Sequence, residues 1–319
     1  MRTERVGGPL IALTGATGFI GRHLLRSLSA RGFRVRVLLR RPVSVPDGAS
    51  GAVVGDLTRP MNMAAALAGV DAVVHSAGLA HAMSGAPEDD YRASNTEATR
   101  RLGEAAARAR VRRFVFLSSI RAQTGWSAPG VVRDTDEPAP TDAYGRSKRD
   151  AEVALSRLDI DWVALRPVLV YGAGMKGNIA SLMALARSPY PLPLASLGGR
   201  RSLVSLESLS DAVMTALDAP APLRRSLVVA EPDPLTLPEM IAAFREGLGR
   251  RAGLLPCPPA LLELACRLGG RSEAFARVAS DLVADSAGLS ALGWVPRTTS
   301  RAGLAALARS TAEADGPST

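Results

Sequence analysis

Lysine is nearly missing from this chain. Of 39 basic residues only Lys148 and Lys176 are lysine, and the others are arginine. Asparagine occurs only at Asn62, Asn95 and Asn178. Under such a bias, a retained lysine or asparagine is a candidate for chemistry that arginine's broad planar fork cannot do. Cysteine occurs twice, at Cys257 and Cys266, without metal-ligand spacing. That argues against a thiolate metal centre, and no metal site is expected. The two are expected to be buried thiols in a reducing compartment. Aromatic residues make up 4% of the chain, too few for base-stacking platforms. The net charge of +9 is spread as pairs such as Arg40/Arg41, Arg112/Arg113 and Arg250/Arg251, not as a stripe. It reads as a solvated basic surface that attracts small anions, with no nucleic-acid partner. No apolar run approaches the roughly 20 residues needed to span a bilayer. The longest candidate, 254–268, is broken by Pro256, Pro258, Pro259 and Glu263. No apolar stretch follows the MRTERVGG start, so no signal peptide is expected and the expected location is cytoplasmic.

What is present is a repeated strand–helix alternation. Short apolar strands are expected at 10–14, 33–39, 52–54, 72–75, 113–118 and 162–165. Helical periods run over 19–30, 61–67 and 89–109, and Asp142 can cap a helix running through Leu155. A polar, proline-rich loop is expected over 122–141. This pattern predicts an α/β fold: a Rossmann-like, doubly wound parallel sheet with helices on both faces. The second half, jointed by proline-rich segments, is expected to form a smaller, mostly helical substrate domain. The expected division is a dinucleotide-binding domain over 8–170, to which 203–230 returns, a substrate domain over 171–312, and a frayed tail over 313–319.

Between the first strand and helix lies TGATGFIG, with Gly15, Gly18 and Gly21 spaced G-x-x-G-x-x-G. Glycine there permits a tight turn, a close approach of backbone to pyrophosphate, and close packing of helix on strand. Thr17, Phe19 and Ile20 complete the candidate loop. The following helix offers free N–H groups and a positive dipole end to a phosphate. An NAD site usually carries an acidic residue about 20 positions further on. Here the second strand ends in Leu39-Arg40-Arg41-Pro42. Arginine can instead meet a 2′-phosphate, so NADP(H) is favoured through Arg40, with NAD(H) as the alternative. Asp56 and Leu57, in the turn after the third strand, are candidate adenine-side contacts, although an aspartate there also suits a plain turn.

Tyr144 and Lys148 are four apart on the capped helix and share a face. A lysine beside a phenol favours the phenolate, so a lowered Tyr144 pKa is expected. Such a tyrosine can exchange a proton near neutrality. The Y-x-x-x-K spacing alone is common on helix surfaces. The rarity of lysine and the glycine loop upstream give it weight. Ser118 and Ser119 end a strand at the edge where parallel sheets bind ligands, and either hydroxyl can bond a substrate carbonyl.

These segments, with His75-Ser76-Ala77-Gly78, Phe116-Leu117-Ser118-Ser119, Tyr144-Gly145-Arg146-Ser147-Lys148 and Leu165-Arg166-Pro167, occur in the order of the extended short-chain dehydrogenases/reductases. The chain resembles the NAD-dependent epimerase/dehydratase group throughout its length. Within it, 172–182 and 198–209 look most like bacterial 4-reductases of UDP-4-keto-6-deoxy-N-acetylglucosamine. The resemblance implies that Ser119 polarises the substrate oxygen, Tyr144 moves the proton, and Lys148 holds the nicotinamide ribose. It implies Ala77 and Gly78 along the cofactor, Asn95 bracing the site and Pro167 beside the nicotinamide. Asn178 and Arg201 match positions that hold a nucleotide-sugar diphosphate, and His81 and Lys176 are further substrate contacts. A homodimer through the helices carrying 89–109 and Tyr144 is implied in the same way.

Two departures narrow the reading. Ala122-Gln123-Thr124 replaces the Val-Tyr-Gly run of many members. Ile120 and Arg121 stand where dehydratases need an acidic pair, which argues against dehydration. The favoured function is NADPH-dependent reduction of a 4-keto UDP-sugar. A UDP-sugar 4-epimerase with tightly held NAD is the alternative. Reduction of a non-sugar carbonyl, and a non-catalytic dinucleotide sensor, stay open because fold does not fix substrate.

Overall fold

The structure, a computed structural model, describes residues 8–79, 86–175, 177–270 and 272–315. Seven parallel strands form the central sheet: β1 (Leu10–Thr14), β2 (Arg34–Leu39), β3 (Ala49–Val53), β4 (Ala72–His75), β5 (Arg113–Leu117), β6 (Trp162–Pro167) and β7 (Arg225–Val229). Their order across the sheet is β7-β6-β5-β4-β1-β2-β3. The order reverses beside β1, so the loops after β1 and β4 diverge and leave a crevice at the carboxyl edge.

The central strands β1, β4, β5 and β6 are buried throughout, which is why they read as nearly continuous apolar runs, whereas edge strand β3 has no buried residue. Ile11 and Leu13 point into one core layer with Leu24 and Leu28 of helix α1 (Phe19–Ala30). Leu10 and Ala12 point into the other, with Leu102 and Phe114. A third core gathers Tyr171, Ile179, Met183, Met240, Phe244 and Leu304 among the helices Asn178–Arg187, Leu237–Gly247 and Ser300–Asp315. Buried Glu231, just past β7, ties this body to the sheet. Its carboxylate accepts from the Tyr171 hydroxyl at 2.8 Å, the Ser205 N–H at 2.9 Å, the Ser208 hydroxyl at 2.8 Å and the Ser300 hydroxyl at 3.0 Å.

The structure departs from the sequence expectations in definite places. The 89–109 helix runs from Glu88 to Arg108 but is wound as a π-helix over Arg92–Glu97. The apolar period does not reveal such a local change of pitch. The 61–67 helix shrinks to Met63–Ala66. The loop expected over 122–141 contains Val131–Val132, which pairs with Val283–Ala284, a partner too distant in sequence for local patterning to reveal. Both cysteines are half-buried rather than buried; Cys266 lies on helix Pro259–Leu268, which has no buried residue. The last helix extends through Asp315, past the start of the expected tail. Among the described residues no helix is long and apolar enough to cross a membrane.

Candidate active site

The crevice beside β1 is a cavity of about 640 Å³. Gly15, Thr17, Gly18, Arg40, Asp56, Leu57, Ala77 and Gly78 all line it, as the glycine-loop reading requires. Gly15 has φ +71°, and a Cβ there would come within 2.6 Å of the Ala77 nitrogen. A Cβ on Gly21 would overlap the Gly15 carbonyl oxygen, so this glycine lets α1 start directly against the loop. No side chain caps α1 and no acid sits in its first turn. Its positive end is therefore left for an anion, and the cradle fits a dinucleotide pyrophosphate. Phe19, Ile20 and Gly21 begin the helix and do not line the cavity; Ile20 packs on the core instead. The Arg40 guanidinium lies 3.5 Å from Asp56, with both side chains exposed. Asp56 also accepts from the Thr58 N–H at 2.9 Å, as a turn aspartate does, and this bond lowers its pKa first. Leu79 and Ser94 line the cavity too and were not expected, since neither carries a motif.

Tyr144 and Lys148 ride on helix Ala143–Ser156, whose N-cap is Asp142; its carboxylate accepts from the Gly145 N–H at 2.7 Å. Gly145 is a requirement that the sequence reading missed. A Cβ there would overlap the Arg121 carbonyl oxygen, so glycine lets this helix pack against the turn that follows Ser119. Ser119 lies close enough to the Tyr144 phenol to lower its pKa, and its hydroxyl accepts from the Arg121 backbone N–H at 3.2 Å. Ser118 beside it faces the other way and donates to buried Glu152 at 2.6 Å. Glu152 is also paired with Arg166, whose Nε lies 2.9 Å away. The two serines therefore have distinct partners, a phenol for one and an ion pair for the other.

Lys148 is buried and its Nζ donates to the Leu117 carbonyl at 2.9 Å. Burial lowers its pKa to about 8, opposed by Glu152. The lowering expected for Tyr144 is not found. Burial raises its pKa, and the nearby Ser119 hydroxyl and the Arg121 charge only partly offset that rise.

Asn95 lies in the π-helical turn and clamps the strand-end loop. It accepts from the Leu79 N–H at 2.8 Å and donates to the Leu79 carbonyl at 3.1 Å and the Ser147 hydroxyl at 2.9 Å. A Cβ on Gly78 would lie 2.7 Å from the Asn95 carbonyl oxygen and 3.2 Å from Lys148 Nζ. Gly78 thus brings the cofactor-sized crevice up against Lys148. Below it, the buried His75 ring bridges Thr14 at 2.7 Å and Thr99 at 3.0 Å. Burial, helped by Lys148, lowers the His75 pKa to about 3, so the ring is neutral.

A second cavity of about 200 Å³ opens on the far side of Ser119. Asn178 and Arg201 both line it, and Val168, next after Pro167, forms part of its wall, while Pro167 itself does not line either cavity. His81 and Lys176 lie outside the described residues. Arg121, noted in the sequence only for the acid it replaces, also lines this cavity, as do Trp126 and Arg277, which were not singled out. In a chain with this much arginine, nothing local distinguishes them. Among the described residues no cluster of three His, Cys, Asp or Glu could hold a metal.

Residues 11–230 match the family model described as NAD dependent epimerase/dehydratase family. A UDP-glucose 4-epimerase of Vibrio cholerae is 34% identical over 92% of this chain and 92% of its own. A ceramide reductase of Caulobacter vibrioides is 30% identical over 81% of this chain and 76% of its own. Among solved structures, MoeE5 in complex with UDP-glucose and NAD superposes with a TM-score of 0.74 at 26% identity, covering 97% of this chain and 100% of that one. The chain belongs to the NAD dependent epimerase/dehydratase family and is an NAD-dependent enzyme of the extended short-chain dehydrogenase/reductase type.

Proposed function

We propose that this enzyme carries out oxidation–reduction at a ring carbon, C4, of a UDP-sugar, with Ser119, Tyr144 and Lys148 as its catalytic residues. The observation that carries the reading is Ser119, which lines the 200 Å³ cavity and lies close enough to the Tyr144 phenol to lower its pKa, together with Lys148, which Gly78 brings against the dinucleotide crevice. When bound, the nicotinamide supplies or accepts the hydride. The Tyr144 phenol holds the proton that the sugar oxygen gains or gives up. Ser119 bonds that oxygen and keeps it in line with the phenol. Lys148, whose Nζ lies behind Gly78, would hold the nicotinamide ribose and lend positive charge to the phenolate side of the transfer. Asn178 and Arg201 hold the diphosphate. Orientation is the protein's main contribution, and such preorganisation lowers barriers by about 7–11 kcal/mol.

Net reduction of a 4-keto sugar by NADPH is the favoured direction. It rests on Arg40 at the crevice mouth, where its single exposed pairing with Asp56 is weak enough to yield to a 2′-phosphate. The second reading is 4-epimerisation with retained NAD, and the 34% identity to a named UDP-glucose 4-epimerase favours it. The discriminating experiment follows nicotinamide absorbance with UDP-4-keto-6-deoxy-N-acetylglucosamine and NADPH or NADH. UDP-glucose is incubated in parallel and analysed for its 4-epimer. Rapid loss of NADPH absorbance supports reduction. Epimer formation without added cofactor supports the second reading. Failure of both, with wild-type protein that still binds NAD and a UDP-sugar, contradicts C4 chemistry.

A further inference from the structure

Arg121 sits two residues after Ser119 and is only 6% exposed. Its guanidinium carbon stacks 3.9 Å from the centre of the Trp126 ring. Its Nη2 pairs with Asp142, the carboxylate that also caps the Tyr144 helix. Its Nε and Nη1 are buried and have no hydrogen-bond partner. A desolvated guanidinium with bare nitrogens is costly, and cavities that hold one are built to receive an acceptor. Arg121 lines the 200 Å³ cavity, and no aspartate or glutamate lines that cavity among the described residues. Arg277, 4.5 Å from the same ring, and Arg201, which donates to the Trp126 carbonyl at 3.1 Å, add positive charge rather than relieve it. No protein acceptor meets these two nitrogens, and a ligand in the cavity can supply one.

Position decides which part of the ligand. Arg121 donates its N–H to Ser119 and its charge acts on the Tyr144 phenol. It stands at the reacting end of the cavity. Its ion pair and its stacking fix the guanidinium plane, so it can select an acceptor at one place on a sugar ring. A carbonyl-type oxygen satisfies buried guanidinium N–H groups better than a hydroxyl, which must also place its own proton.

Resting on the reading that this cavity holds a UDP-sugar, we infer that Arg121 forms a specificity subsite for a carbonyl oxygen carried on the sugar ring, either a C6 carboxylate or a 2-acylamino group. Trp126 is its flat floor and Asp142 fixes its orientation.

The test is calorimetric binding of UDP-glucose, UDP-glucuronate and UDP-N-acetylglucosamine to the full chain saturated with NAD, for wild type, Arg121→Leu and Arg121→Lys. At least one carbonyl-bearing sugar is expected to bind wild type tenfold or more tightly than UDP-glucose, and which one names the group. Arg121→Leu should erase that preference, bringing the affinities for the three sugars to within about twofold of one another. Arg121→Lys, which keeps the charge but not the stacked plane, should keep a part of the preference and controls for misfolding of the leucine variant. Equal loss for all three sugars would place Arg121 on the diphosphate and overturn the inference. So would wild-type binding without preference, which leaves C4 chemistry untouched. Failure of all three to bind would contradict both readings.

Discussion

Lys148 Nζ and the Leu117 carbonyl oxygen are joined by a 2.9 Å hydrogen bond that pins a buried ammonium behind the Ser119 strand end. The lysine is held at a cost. Burial lowers its pKa from 10.5 to about 8, so the fold disfavours the charge it keeps at neutral pH. Between about pH 8 and 10.5 the unfolded chain binds more protons at this site than the native one, so stability from this group rises with pH across that window.

Lys148→Met is accordingly expected to abolish turnover and yet raise the melting temperature. The gain should be full below about pH 8 and shrink as pH approaches 10.5. Thermal unfolding of both proteins at pH 7 and pH 10 checks the sign. A melting temperature lowered at pH 7 would mean that the Leu117 bond outweighs desolvation.

The adjacent serines should separate cleanly. Ser119→Ala is expected to lower kcat by about 10²–10³, the range for loss of one donor to a reacting oxygen, with little change in stability. Ser118→Ala leaves the buried Glu152 carboxylate one partner short. It should cost about 1–3 kcal/mol of stability and spare the chemical step. Urea unfolding beside steady-state kinetics distinguishes the two.

Arg40→Asp should shift preference from NADPH toward NADH, because a carboxylate bonds ribose hydroxyls and repels a 2′-phosphate. The ratio of the two kcat/KM values is the readout. An unchanged ratio would show that Arg40 does not touch that phosphate.

Glu231→Ala removes one carboxylate from four buried donors: Tyr171, Ser205, Ser208 and Ser300. The expected loss is at least about 1–3 kcal/mol, the cost of leaving a buried donor unpaired, with the third core loosened from the sheet. Chemical denaturation measures it.

Much of the site could be read from the sequence because it is local. The Asp142 cap, the four-residue step from Tyr144 to Lys148 and the glycine loop each depend on neighbours within one turn or one loop. The parallel sheet with helices on both faces also followed from strand–helix alternation. What was hidden is what depends on distance. Arg121 becomes distinctive only when Trp126 stacks on it and Arg277 approaches the same ring. Gly145 matters because the Arg121 carbonyl lies against it. The π-helical winding around Asn95 accompanies its bonds to Leu79 and Ser147, contacts that the apolar period does not encode. The raised Tyr144 pKa arises the same way: spacing put a lysine on the same helix face, but it does not encode the burial that raises the phenol.

The central claim is that Tyr144 moves the proton. The most direct measurement compares Tyr144→Phe with wild type for turnover of the nucleotide-sugar substrate and for cofactor binding by fluorescence titration. The account predicts turnover reduced by about 10²–10⁴, the usual contribution of a positioned acid–base group, with cofactor affinity changed less than about twofold. Turnover retained in the phenylalanine variant would contradict it.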